Sequence, residues 1–147
     1  MNVIAIIQAR MGASRLPGKV MLNLCHQPVL WHVYQRVKQS KKVDLTAIAT
    51  TTKVDDDKIY EFCQQNNLPC TRGSQEDVLE RYYQSAKFFN ADIVVRITAD
   101  CPMIDPLIID KVVNMHVEGD YEVTGLTGEF PDGLDVEVFN FEALFLN

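Results

Sequence analysis

The feature that most constrains the fold is an apolar run, Val3 to Ile7, leading straight into Gln8-Ala9-Arg10-Met11-Gly12-Ala13-Ser14-Arg15-Leu16-Pro17-Gly18-Lys19. A short continuous apolar run bounded by a glycine-containing loop reads as a buried strand. In α/β folds such a strand presents its following loop at the carboxyl edge of the sheet, where ligands bind. Arg10 and Arg15 offer planar forks to an anion there, and Lys19 a point charge. A solvated basic loop is the plainer reading of the same composition.

Two phosphate-loop motifs fail on detail. A Walker A loop spaces its glycines more closely than Gly12 and Gly18, and follows its lysine with Ser or Thr, whereas Val20 follows Lys19. Pro17 also removes a backbone N–H from a loop that would depend on donating such groups. The dinucleotide fingerprint G-x-G-x-x-G is absent as well. The grip on an anion would therefore come from side chains.

Strand and helix patterns alternate along the rest of the chain. Val29, Leu30, Val33, Tyr34 and Val37 recur at helical spacing behind Pro28, which the pattern places in the first turn. Leu45 to Thr50 reads as a strand. Asp55, Asp56 and Asp57 precede a helix with Ile59, Phe62 and Cys63 on one side, so capping and the helix dipole account for this acidic triplet better than a metal does. A short extended piece, Pro69 to Thr71, leads to Ser74 and Asp77, which have the spacing of a capping box for a helix carrying Val78, Tyr82, Ser85, Ala86 and Phe89. This leaves Arg72 and Arg81 without a structural role. Asp92 to Ile97 is a strand, Asp105-Pro106 starts a helix with Ile109, Val112, Val113 and His116, and Tyr121 to Thr124 and Leu134 to Phe139 are later strands. The order predicts a three-layer α/β fold on a mostly parallel sheet.

Composition bounds the function. With 147 residues, 47% hydrophobic and 23% charged, the chain is expected to form one domain over residues 1–147. A net charge of −6 argues against a non-specific nucleic-acid binder, which needs excess Lys and Arg to displace counterions. No apolar run approaches the ~18 residues of a membrane span, and no basic n-region opens the chain, so a cytoplasmic protein is expected. Cys25, Cys63, Cys70 and Cys101 form no C-x-x-C pair and lie in apolar or turn contexts, which favours reduced structural thiols over a zinc site or a disulfide framework. His26, His32 and His116 show no ligand spacing.

The carboxylates carry the second functional signal. Asp105 is accounted for by capping, whereas Asp100 stands just past a buried strand and before a proline turn, where a carboxylate can face a ligand crevice. It can hold Mg²⁺ there, or bond turn N–H groups. In Asp132-Gly133-Leu134-Asp135-Val136-Glu137-Val138, strand periodicity puts Asp135 and Glu137 on one face, where they complete a metal site or simply meet water. A cationic loop, an isolated Asp after a strand and a late D-x-E strand together suggest a magnesium–triphosphate site and nucleotidyl transfer.

Five segments in order carry a resemblance. They are Gln8 to Lys19, Arg72-Gly73-Ser74, Asp77-Val78-Leu79-Glu80-Arg81-Tyr82, Arg96 to Asp105, and Pro131-Asp132-Gly133-Leu134-Asp135-Val136-Glu137-Val138-Phe139. The chain resembles the cytidylyltransferase family over nearly its whole length, nearest the branch of spore coat polysaccharide biosynthesis protein F, with the acylneuraminate and KDO cytidylyltransferases as relations. The resemblance implies a nucleotide-diphospho-sugar transferase (GT-A-like) fold and the reaction CTP + sugar acid → CMP-sugar + pyrophosphate. By that likeness Arg10, Arg15 and Lys19 hold the triphosphate. Gln8, Ala9, Met11 and Gly12, with Arg72 and Asp77, frame the cytosine and ribose, and Asp100 binds Mg²⁺. Arg10, Lys19 and Asp100 are then the catalytic set, which works by positioning and charge neutralisation with no protein nucleophile. The family usually has a small hydroxyl residue where Ala13 stands and glycine where His26 stands. Relatives also continue past the D-x-E strand through segments that shape the sugar pocket and mediate dimerisation, so the resemblance reads this chain as a shortened member. An inactive nucleotide-binding remnant and a glycosyltransferase on the same fold remain as alternatives.

Overall fold

The computed structural model describes residues 1–12, 16–125 and 136–145. Its centre is β1 (Val3–Gln8), and the apolar run has a simple physical cause. Val3, Ala5 and Ile7 point into one core with the helices on that side, while Ile4 and Ile6 point into the other. A strand covered on both faces cannot alternate apolar with polar.

Around β1 the described strands β4 (Leu45–Thr51), β5 (Cys70–Gly73), β6 (Ile93–Thr98), β7 (Val123–Gly125) and β8 (Glu137–Asn140) complete a sheet in the order β5-β4-β1-β6-β8-β7. The β5, β4, β1 and β6 strands are parallel. Strand β8 runs antiparallel between β6 and β7, so the mostly parallel sheet expected from the sequence ends in a mixed edge. Helices α1 (Val29–Lys38), α2 (Asp57–Gln65) and α4 (Pro106–Gly119) cover one face through Val33, Val37, Ile59, Ile109 and Val113. Helix α3 (Val78–Phe88) covers the other through Tyr82 and Ala86. The helices therefore lie on both sides, as a three-layer α/β fold requires.

Local signals resolve with two corrections. Asp105 caps α4 by accepting from the Leu107 N–H at 2.8 Å, with Pro106 at the start, as its sequence position suggests. Pro28, however, is not in the first turn: it is the extended residue before α1 and pairs with Asn23 in a small hairpin of β2 (Asn23–Leu24) and β3 (Gln27–Pro28). Ser74 does not cap α3 either. Its hydroxyl accepts from the Asp77 N–H at 3.0 Å, and Asp77 itself accepts from the Glu80 N–H at 3.0 Å. The helix thus starts three residues later than a Ser74 cap would place it, because the turn bond satisfies Ser74 first.

The hairpin turn explains the departure at His26. Cys25 and His26 have φ of 52° and 70°, the pair of left-handed residues that a two-residue turn of this hand demands. A side chain there crowds its own carbonyl, and glycine does not. His26→Gly is expected to raise stability by about 1 kcal/mol in urea denaturation; an unchanged midpoint would show that the exposed histidine relieves its strain elsewhere.

His116, buried on α4, answers the question of its role. One ring nitrogen bonds the Thr124 hydroxyl and the other the Asn140 amide oxygen, each at 2.8 Å, so a single imidazole ties α4 to β7 and β8. It is a packed core histidine with both nitrogens satisfied.

Candidate active site

The cationic loop leaves β1 from a rigid base. Strand pairing extends past the last residue of β1 on both sides: the Ala9 N–H donates to the Ala49 carbonyl at 3.1 Å, and the Ala99 N–H to the Gln8 carbonyl at 3.0 Å. Arg10 is then the first residue clear of the sheet, and it is exposed. Met11 is clasped at both ends of its peptide. Its N–H donates to Asp56 Oδ1 at 2.7 Å, and its carbonyl accepts from the Gly18 N–H at 2.6 Å. Gly18 has φ 75°, and a Cβ there would stand 3.2 Å from the Met11 methyl, so a side chain at the loop's closing residue would be strained and would have to push the Met11 tip aside. A 3-10 turn, Lys19–Met21, follows at once and holds Lys19 half-buried.

Asp56 departs from the capping role expected of its triplet. It is 2% exposed and makes no helix-cap bond; one oxygen holds Met11, and the other accepts from the Thr51 hydroxyl at the end of β4. The buried carboxylate therefore fastens the cationic loop to the neighbouring strand. Asp57, in the first turn of α2, pairs with Arg72 Nη2 at 2.8 Å. Only Asp55 is left facing the open cleft of ≈ 460 Å³ beside the loop, with Met11, Gly12, Pro17, Gly18 and Lys58.

Arg72 and Arg81 both have structural roles, contrary to the reading from sequence. Arg72 donates from Nε to the Thr51 carbonyl at 2.8 Å and from Nη2 to the Lys53 carbonyl at 2.9 Å, and its guanidinium lies 5.2 Å from the Tyr60 ring centre. It binds the ends of β4 and α2 to β5. Arg81 is 1% exposed on the inner face of α3 and donates from Nη1 to the Ser74 carbonyl at 3.0 Å. Its Nε and Nη2 are buried with no hydrogen-bond partner among the described residues. Burial pushes its pKa down, and Arg10 adds to this, while Tyr82 and Asp56 oppose it. The result is a desolvated cation under the loop, sharing its field with Arg10.

A buried charge without a close partner destabilises a fold, and an apolar residue of similar volume often does better. Arg81→Met is accordingly expected to leave thermal stability equal or higher. It should also weaken triphosphate binding by about tenfold, through loss of the positive potential below Arg10. A thermal melt checks the first half and calorimetric titration the second; lower stability with unchanged affinity would assign Arg81 a purely structural function.

On the other side of β1, β6 ends at Thr98 and delivers Asp100, which is exposed. Its carboxylate accepts from the Cys101 thiol at 3.4 Å, and that sulfur also lies 3.3 Å from the Thr98 hydroxyl. Neighbouring strands thus carry Arg10 and Asp100 to the same edge of the sheet. Asp77 is engaged as the α3 cap. Gln8 Oε1 accepts from the Tyr82 hydroxyl at 3.3 Å. Burial pushes the Tyr82 phenol up to about 12, with Arg96 opposing, so it stays a donor at neutral pH.

Glu137 is placed apart from Asp100. The β6–β8 register sets it opposite Arg96, four residues before Asp100, and its carboxylate meets Arg96 Nη1 at 3.4 Å. The pair stands at the mouth of a ≈ 280 Å³ cavity between α3 and β8, lined by Val78, Tyr82, Val123, Phe139 and Leu144. Arg15 and Asp135, together with the D-G part of the late acidic motif, lie outside the described residues. No helix among the described residues is long and apolar enough to cross a membrane.

An α/β sheet whose central strand feeds a clamped, cation-bearing loop, with an exposed carboxylate at the end of the adjacent strand, has its charged groups where α/β folds bind ligands. The comparisons make this specific: residues 4–147 match the model of the cytidylyltransferase family, and the chain belongs to that family. It is 41% identical to an uncharacterised protein of Methanocaldococcus jannaschii, over 98% of this chain and 59% of that protein. It is 34% identical to the spore coat polysaccharide biosynthesis protein SpsF of Bacillus subtilis, over 97% of this chain and 61% of that one. A 3-deoxy-manno-octulosonate cytidylyltransferase of Geobacter sulfurreducens shares 31% identity over 77% of the chain and 44% of the enzyme. Among solved structures, a cytidylyltransferase from Leptospira borgpetersenii superposes with a TM-score of 0.93 at 37% identity, covering 99% of this chain and 63% of that one. The chain thus spans about three-fifths of the length of the first two relatives.

Proposed function

We propose that the chain binds CTP and transfers its cytidylyl group to the anomeric hydroxyl of a sugar acid, releasing pyrophosphate. The observation that carries this reading is the meeting at one sheet edge of two cations and a carboxylate that make no ion pair among the described residues. Neither Arg10 nor Lys19 is held in an ion pair among the described residues, and Asp100 is exposed. Arg10 and Lys19 would neutralise triphosphate oxygens, with the Met11–Gly18 clasp fixing how far apart they sit. Asp100 suits Mg²⁺: apart from the Cys101 thiol, no hydrogen bond or ion pair occupies its carboxylate among the described residues. A hard cation takes one or two protein carboxylates and completes its shell with water and phosphate oxygens. When bound, the ion supplies neutralisation of the charge developing on the departing pyrophosphate.

The sugar hydroxyl oxygen forms a bond to the α-phosphorus as the bond from that phosphorus to pyrophosphate breaks, and the hydroxyl proton passes to solvent. Arg10 and Lys19 hold the phosphates in line, and no protein nucleophile intervenes. The sugar-acid class is supported by the name of the 3-deoxy-manno-octulosonate relative, and a place in surface polysaccharide synthesis by that of the spore coat relative. We place the reaction in the cytoplasm, with a second subunit as a candidate to complete the acceptor side. The test is calorimetric titration of CTP with Mg²⁺, with ATP in parallel, then pyrophosphate release on a panel of sugar acids. Binding with release supports the reading; binding without release reduces it to a nucleotide site, and no binding overturns it.

A further inference from the structure

Asp100 is tied to the end of β6 by side-chain contacts that the reaction scheme above does not use. Strand β6 ends at Thr98, whose place on the sheet is fixed by pairing with Gln8 of β1. One residue on, the Ala99 N–H donates to the Gln8 carbonyl at 3.0 Å. The turn beyond is closed by the Ile104 N–H, which donates to the Cys101 carbonyl at 3.2 Å, and the Ile104 carbonyl accepts from Arg36 Nε on α1. The backbone of Cys101 thus belongs to a turn anchored to the sheet on one side and to a helix on the other. Asp100, between the two anchors, is exposed.

A proton count gives the contacts their direction. A carboxylate has only acceptors, so the Cys101 thiol donates to Asp100 Oδ1, 3.4 Å away. A thiol has one hydrogen, and with that one committed the sulfur can only accept from the Thr98 hydroxyl, 3.3 Å away. The result is a relay from the Thr98 hydroxyl through the Cys101 thiol to Asp100, in which each donor polarises the next. No other side chain among the described residues hydrogen-bonds or pairs with this carboxylate.

We propose that Cys101 is a positioning residue for the divalent cation of nucleotidyl transfer: it fixes one oxygen of Asp100 so that the other is presented to the cation. This rests on the reading of Asp100 as a ligand of that cation. A bond at Oδ1 restricts an exposed side chain whose rotamer freedom would otherwise be lost only when the cation binds. The donor is also of the right kind. A lysine or arginine there would pair with Asp100 and compete with the cation for its charge, whereas a neutral thiol is a weak donor and leaves that charge available. Mg²⁺ takes oxygen ligands, so the soft sulfur supports the ligand and does not replace it. Partners behind a metal ligand contribute about 10–100-fold in metal affinity, and a weak S–H donor belongs near the bottom of that range.

The experiment measures CTP affinity by calorimetry over a series of Mg²⁺ concentrations, and in EDTA, with a thermal melt of each protein. Cys101→Ala is expected to need about five- to tenfold more Mg²⁺ for half of the metal-dependent gain in affinity, with its affinity in EDTA and its melting temperature at wild-type values. Cys101→Ser, which restores a neutral donor, should return to within about twofold of wild type. Thr98→Val, which removes only the far end of the relay, should shift the Mg²⁺ requirement in the same direction by less. Wild-type Mg²⁺ dependence in Cys101→Ala, with the dependence abolished in Asp100→Ala, would overturn the proposal and leave Asp100 as the ligand. Equal Mg²⁺ dependence in wild type and Asp100→Ala would remove the ligand assignment itself, and the proposal with it. A fall in melting temperature or in affinity in EDTA that serine does not rescue would make Cys101 a structural residue and overturn the proposal as well. If Cys101→Ala does not fold, Thr98→Val decides, and wild-type Mg²⁺ dependence there counts against the relay.

Discussion

Asp56→Ala is expected to destabilise the protein by about 3 kcal/mol and to weaken nucleotide binding at the same time. The substitution strips the Met11 N–H and the buried Thr51 hydroxyl of a shared anionic acceptor, and each lost bond to a charged group is worth about 1.5–3 kcal/mol, less whatever water restores at the half-buried Met11. The second effect follows from position. Met11 is the neighbour of Arg10, so releasing its peptide frees the first cation of the loop to wander. Asp56→Asn separates the two contributions, because its amide oxygen still accepts from Met11 while the hydroxyl of Thr51 must turn elsewhere. Urea denaturation should rank wild type above Asn above Ala, and titration with CTP and Mg²⁺ should show the larger affinity loss in Ala. A stability change under about 0.5 kcal/mol for Asp56→Ala, the level of an ordinary surface substitution, would mean that the loop does not depend on this carboxylate.

The largest effect on turnover is expected at Asp100. Asp100→Ala should lower pyrophosphate release by about 100-fold or more, the scale of removing one electrostatic stabiliser of a charged transition state. Stability should hardly move, since among the described residues the exposed carboxylate supports only the Cys101 thiol contact. Lys19→Ala should likewise spare the fold, and should appear mainly in triphosphate affinity. Release assays, titrations and thermal melts on the two variants give the check; wild-type turnover in Asp100→Ala, or wild-type triphosphate affinity in Lys19→Ala, would withdraw that residue from the site.

What could be read from the sequence was local. Asp105-Pro106 announces a helix start because both its signals lie within one turn, and the Val3–Ile7 run announces a doubly covered strand because burial leaves it no polar position. The acidic triplet was opaque for the opposite reason. Three consecutive aspartates look alike, yet Asp55 meets the cleft, Asp56 reaches Met11 across the fold, and Asp57 pairs with Arg72 on another strand. Arg81 did carry a usable signal. With Val78, Tyr82 and Ser85 it falls at i, i+3, i+4 and i+7, the spacing of the inward stripe, and a cation there must be buried. Glu137 was placed on the expected strand, but its neighbour depended on the β6–β8 register, which no pattern in either strand specifies.

The central position of β1 has a consequence for how the molecule is made. Strand β1 needs two partners, and both follow it in the chain: Ile4 pairs with Leu45 on one side, and Val3 with Ile93 on the other. Until those segments exist, Val3 to Ile7 is an apolar strand with two open edges, a template for association with other chains. Such distant pairings also place folding toward the slow end for a chain of this size. The strand that aims the cationic loop in the finished protein is thus open to association with other chains during synthesis.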